Sequence, residues 1–126
     1  MARVIVIDDE ELMRELMRQL LEIDNHLVEE APDGEAGLVL QQENPADLVI
    51  TDMALPGRDG LSVIAAIKKE FPNTKVIAVS GAGNLLAEEL FQEAQELGVS
   101  DTFSKPFDVR EMMCGITEIL KEQNVN

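Results

Sequence analysis

Five side chains in this sequence could do chemistry together: the adjacent carboxylates Asp8 and Asp9, the carboxylate Asp52, the hydroxyl of Ser80 and the amine of Lys105. Each directly follows or ends a short run with strand character. Two carboxylates about 4 Å apart repel by roughly 4 kcal/mol at an effective dielectric near 20, so three brought together call for a cation. With oxygen ligands only, one open face and room for water, the ion expected is Mg²⁺. A carboxylate beside a divalent ion can attack a phosphoryl group, while the ion and a lysine ammonium neutralise the charge that builds on the equatorial oxygens. Lys105 and Ser80 have the chemistry to hold those oxygens, and the reaction needs no histidine or cysteine. Taken singly, each residue has a plainer reading. An Asp-Asp pair after a strand is often a helix N-cap, Asp52 precedes a turn-like Met-Ala-Leu-Pro-Gly, Ser80 could be a loop hydroxyl and Lys105 a solvated charge. Their arrival at one rim is what outweighs those readings.

That arrival depends on the elements between them. Val4–Ile7, Leu48–Ile50 and Val76–Val79 are continuous apolar runs rich in β-branched residues, the pattern of strands covered on both faces. Leu27–Ala31 carries two carboxylates that must reach water, and Thr102–Ser104 is framed by polar residues, so these two are expected at the sheet edges. Between the strands, apolar residues recur at helical spacing: Leu12, Met13, Leu16, Met17, Leu20 and Leu21; Leu61, Ile64, Ile67 and Phe71; Leu86, Leu90, Ala94 and Leu97; Val109, Met112, Met113, Ile116 and Leu120. A shorter helix is expected from about residue 34 to 42, capped by Asp33 and stopped by Asn44-Pro45, and Gly98 suits the end of the fourth helix. Alternation of five strands with five helices gives an α/β domain: a doubly wound, five-stranded parallel sheet in the flavodoxin-like order 2-1-3-4-5. In such a sheet ligands bind beyond the carboxyl ends of the strands where the winding reverses, here between the first and third. Asp8, Asp9 and Asp52 are therefore expected to converge.

The chain has 126 residues, enough for one core that buries roughly two-thirds of the unfolded surface. One domain is expected over residues 1–122, followed by a short polar tail, 123–126, with no output domain. Met1 directly before the first strand favours a free-standing protein over a fragment. A net charge of -15, from 25 acidic and 10 basic residues without a basic cluster, argues against direct nucleic-acid binding and for basic partners or metal ions. Apolar runs are too short to span a bilayer and the amino terminus lacks a signal-peptide layout, so a cytoplasmic protein without membrane attachment is expected. The single cysteine, Cys114, excludes an internal disulfide and is read as an apolar filler on a helix; His26 is read as a surface or edge-strand residue. Gly81 and Gly83 make no dinucleotide fingerprint, because position 86 is Leu, and Glu88-Glu89 reads as a solvated helix face.

Four segments in order, VIVIDDEELMR, LVITDMALPGRDG, VIAVSGAG and DTFSKPF, resemble the signatures of bacterial response-regulator receiver domains, and the resemblance covers nearly the whole chain. It implies a phosphorylation-dependent switch of a two-component phosphorelay rather than an enzyme with a separate substrate. Asp52 would be the phosphoacceptor. Asp9, Asp52 and the Ala54 carbonyl would be direct Mg²⁺ ligands, and Asp8 a ligand to metal-bound water. Ser80 and Lys105 would contact the phosphoryl group, with a cis peptide bond between Lys105 and Pro106, while Pro56 and Gly57 would shape the loop after the acceptor. The implied donor is a phosphohistidine on a sensor histidine kinase or histidine phosphotransfer protein. The implied output is a changed surface, offered to a downstream protein by the fourth and fifth helices with the last strand.

Two departures from the family pattern stand out. Thr102 occupies the switch position usually held by an aromatic, with Phe103 expected to point the other way into the core, and Gly81 follows Ser80 where a small Ala is commoner. With Gly83 close by, the loop Gly81-Ala82-Gly83 is expected to be mobile. The rival from another class is a haloacid-dehalogenase-like phosphatase, whose second acid lies two residues beyond the nucleophile; here that position is Glu10 and no cap domain is present. A degenerate receiver acting only as a binding module is disfavoured by the complete set Asp8, Asp9, Asp52, Ser80 and Lys105.

Overall fold

Elements follow one another as β1 (Arg3–Ile7), α1 (Glu11–Ile23), β2 (Leu27–Ala31), α2 (Gly34–Glu43), β3 (Leu48–Asp52), α3 (Gly60–Glu70), β4 (Lys75–Gly81), α4 (Leu85–Leu97), β5 (Asp101–Lys105) and α5 (Val109–Asn124). The structure is a computed structural model that describes residues 1–81 and 85–124. All strands pair in parallel, in the order β2-β1-β3-β4-β5. This is the doubly wound sheet read from the apolar runs, with the two polar strands at its edges.

Because side chains alternate along a strand, the inner strands feed two cores. Ile5, Ile7, Val49, Val76 and Ala78 pack beneath α2, α3 and α4, whose buried residues include Leu38, Val63, Ile64, Ile67 and Ala94. Val4, Val6, Leu48, Ile50, Ile77 and Val79 face the opposite way, against Met17 and Leu21 of α1 and Met112, Ile116, Ile119 and Leu120 of α5. A carboxylate at the end of an inner strand is therefore carried on a backbone packed on both faces.

Local signals act where the chemistry of the residue allows. Asp33 accepts the Ala36 N–H at 2.8 Å and starts α2, and Asp59 accepts the Ser62 N–H at 2.8 Å and starts α3. Asn44 caps the carboxyl end of α2, and Gly98, with φ of +100°, follows α4 in the left-handed region that glycine favours.

Three readings need correction. The apolar positions of α1 do not all face the sheet: Met17 and Leu21 are buried, but Leu12 is 81% and Leu16 42% exposed. Six apolar residues at three- and four-residue spacing form two columns on a helix, and a sheet covers only one of them. Cys114 is exposed on α5 instead of filling the core. Val109 and Leu97, placed in stripes, are partly exposed at helix ends, at 40% and 37%. Ala82, Gly83 and the Leu86 side chain lie outside the described residues.

Candidate functional site

Ile7 pairs with Thr51, so the next residues, Asp8 and Asp52, leave the carboxyl edge of the sheet side by side. Both are nearly buried. Asp8 is fixed from two directions: its Oδ1 accepts the Glu10 N–H at 2.9 Å, and its carbonyl accepts from Arg14 Nη1 at 2.7 Å. Asp52 Oδ1 accepts the Ala54 N–H at 2.9 Å, which turns the carboxylate back over the strand end. The start of α3 packs against the backbone of Asp52 and Met53. At Gly60 a Cβ would lie 2.6 Å from the Asp52 carbonyl oxygen and 2.6 Å from Met53 Cα, so the helix approaches this close only because the side chain is absent.

Lys105 ends β5 beside Gly81, two residues beyond the Val79 that pairs with Asp52. Its stem crosses the width of β4 and its ammonium sits between the buried carboxylates, donating to Asp8 Oδ2 and Asp52 Oδ2 at 2.8 Å each. A third donor reaches Glu10 Oε1 at 3.3 Å. Partial burial alone pulls the Lys105 pKa down. The hydrogen bonds and negative charge of Asp52 and Asp8 overcome that, and the ammonium is held above its ordinary value of 10.5. The peptide bond from Lys105 to Pro106 is cis.

The remaining candidates occupy different positions. Ser80 is buried near the end of β4, its hydroxyl 3.5 Å from the Gly81 carbonyl oxygen, a contact too long to hold it firmly. Thr102 is half-buried on β5 opposite Ala78, which belongs to the core beneath α3 and α4. Phe103 faces the other core, with Phe107. Asp9 is exposed. Among the described residues, the carboxylates whose oxygens lie within 4.8 Å of one another are Asp8, Glu10 and Asp52. Sequence reasoning gave Glu10 no part in the site, and gave none to Arg14, which ties α1 to Asp8. The available signal was the continuous acidic run 8–10, with Arg14 one helical turn after Glu10.

An oxygen-only donor set with two buried carboxylates suits a hard divalent cation. The Lys105 ammonium, centred between those carboxylates, marks the place where positive charge is stabilised. The fit is therefore good for Asp8 and Asp52.

Comparison with known proteins agrees with this geometry. The model of the response regulator receiver domain matches residues 4–117. The chemotaxis protein CheY of Halobacterium salinarum is 30% identical over 118 residues, covering 94% of this chain and 96% of its own length. A response regulator receiver domain protein from Clostridium thermocellum is 32% identical with a TM-score of 0.87, each chain being 98% covered. NtrX from Brucella abortus is 30% identical with a TM-score of 0.89, but this chain spans only 27% of it. With five parallel strands in the order 2-1-3-4-5 and a family match across most of its length, this chain belongs to the response regulator receiver domains.

Proposed function

We propose that the domain is a phosphorylation-dependent signalling switch in which Asp52 accepts a phosphoryl group from a phosphohistidine donor in a Mg²⁺-dependent reaction. The observation that carries this reading is the Lys105 ammonium held 2.8 Å from both Asp8 and Asp52 at the carboxyl edge of the sheet. Asp8 and Asp52 would hold the ion with Asp9 and the Ala54 carbonyl, and the bound ion would supply neutralisation of charge on the transferring group.

The chain's own residues account for the rest. Asp52, fixed by the Ala54 N–H, presents its carboxylate to phosphorus; the phosphorus–nitrogen bond of the donor breaks and the imidazole leaves with the electron pair. Lys105 stays protonated throughout and turns one donor from a carboxylate to a phosphoryl oxygen, as electrostatic catalysis requires. Ser80, whose hydroxyl lies 3.5 Å from the Gly81 carbonyl oxygen, would take another oxygen. Its movement would shift the end of β4 and so alter the surface offered to a partner. The domain thus catalyses only its own phosphorylation and dephosphorylation. The donor would be a sensor histidine kinase or histidine phosphotransfer protein, and the reader a downstream protein. Strong net acidity favours protein partners over direct nucleic-acid binding. Among the described residues no helix is long and apolar enough to cross a membrane, in keeping with a proposed cytoplasmic location.

Intact-mass measurement after incubation with Mg²⁺ and a small-molecule phosphodonor tests the reaction. The wild type should gain one phosphoryl group and Asp52→Asn none. Equal labelling of the two would falsify the assignment of Asp52.

A further inference from the structure

Lys105 carries three N–H donors and meets three carboxylates, two buried and one at the mouth of the site. The three contacts are unequal. Asp8 and Asp52 hold the ammonium at 2.8 Å from within the sheet edge, whereas Glu10 Oε1 lies at 3.3 Å with its side chain 66% exposed. Glu10 has a rigid base: its backbone N–H is bound by Asp8 Oδ1 and its carbonyl accepts the Arg14 N–H at 3.1 Å as α1 begins.

A divalent ion held with the help of Asp8 and Asp52 would compete with the ammonium for the negative charge of the same two carboxylates. Binding of the ion would therefore weaken the two shorter contacts of Lys105, and without another acceptor like charge would push the ammonium away. We propose that Glu10 is the positioning residue for Lys105: it receives the ammonium when the metal ion takes Asp8 and Asp52, and keeps it at the mouth where a phosphoryl oxygen must be met. This rests on the metal-dependent reading above, and assigns Glu10 to the lysine, not to the ion.

The two assignments differ in sign. If Glu10 acts through Lys105, its contact with the ammonium strengthens on metal binding, so Glu10→Gln weakens Mg²⁺ binding most when Lys105 is present. If Glu10 instead acts on the ion directly, Lys105 partly neutralises it, and removing the lysine enlarges the effect of Glu10→Gln.

The experiment is a double-mutant cycle on the full chain, with MgCl₂ alone titrated at constant ionic strength and the amide chemical shifts around Asp52 followed by NMR. The proteins are the wild type, Glu10→Gln, Lys105→Met and the double variant; Lys105→Gln replaces Lys105→Met should the latter fail to fold. Glu10→Gln should raise the Mg²⁺ dissociation constant about two- to fivefold beside Lys105, the scale of one exposed ion pair, and by less without it. An equal or larger effect without Lys105 overturns the positioning role while leaving the metal-dependent reading intact. A wild type whose amides do not respond to MgCl₂ overturns both.

Discussion

Lys105 is the residue on which the resting site depends. Its ammonium is the charge that keeps Asp8 and Asp52, both nearly buried, from repelling each other across a short gap. An exposed ion pair adds at most about 1 kcal/mol, but removing one partner of a buried pair costs roughly 3 to 5 kcal/mol because the other charge is left uncompensated. This ammonium lies between those limits. Lys105→Met should therefore lose about 2 to 3 kcal/mol in divalent-free buffer, measured by urea unfolding. The same variant should gain more in melting temperature from Mg²⁺ than the wild type, because no internal cation has to be displaced before the ion enters. A smaller Mg²⁺ response in Lys105→Met than in the wild type would mean that lysine and ion do not share a place.

At the scale of elements, the end of the sheet opposite the site is held by a closed polar ring. Gln41 on α2 is fully buried; its Nε2 donates to Thr74 Oγ1 at 3.0 Å, Thr74 Oγ1 donates to the Ala46 carbonyl at 2.9 Å, and the Ala46 N–H donates to Gln41 Oε1 at 2.9 Å. The ring locks α2 to the segments that lead into β3 and β4. Thr74→Val preserves shape but leaves a buried amide N–H and a buried carbonyl without their partner, which costs about 1 to 3 kcal/mol. Thermal unfolding should show that loss while Mg²⁺ binding at the far edge stays as in the wild type; a variant as stable as its parent would show that the ring contributes little. Nothing in the sequence pointed to this ring, because Gln41 reads as one more polar residue near a helix end. The strands were legible because a strand buried on both faces has to be continuously apolar, as Val4–Ile7 and Val76–Val79 are. The helices were legible as periodic segments, but periodicity gives the period and not the phase, and so Leu12 and Leu16 were placed in the core-facing stripe although both are exposed. The site shows the same division. Parallel topology brings strand ends together, which makes Asp8, Asp52 and Lys105 readable. The turn after β1 decides which of three successive acids points inward, and no rule of strand or helix alternation reaches into that turn.

For the molecule as a whole, the dominant electrostatic fact is a net charge of -15, which penalises compactness and is relieved by salt or by acid. His26, the one histidine, opposes that trend. It joins the amino terminus to the edge of the sheet: Nδ1 accepts the Ala2 N–H at 3.1 Å, and the Leu27 N–H beside it donates to the Ala2 carbonyl at 2.8 Å. Burial, with the positive amino terminus nearby, lowers its pKa below the ordinary 6.5, and the opposing attraction of Asp24 and Asp47 is too weak to reverse this. A group whose folded pKa is depressed binds its proton more readily in the unfolded chain. Its stabilising contribution is present above pH 6.5 and is lost as the pH falls through the folded value, where Nδ1 takes a proton and can no longer accept from Ala2. General self-repulsion works in the other direction, since acid reduces the net charge, so the two effects must be separated by salt. In about 0.5 M KCl, where screening shortens the Debye length to a few ångströms, urea unfolding of the wild type between pH 7 and 5 should show stability falling with pH. His26→Gln keeps an acceptor but does not titrate, and its stability should fall less over the same interval. Parallel pH dependences of the two proteins would remove His26 from the acid response and leave it to the carboxylates.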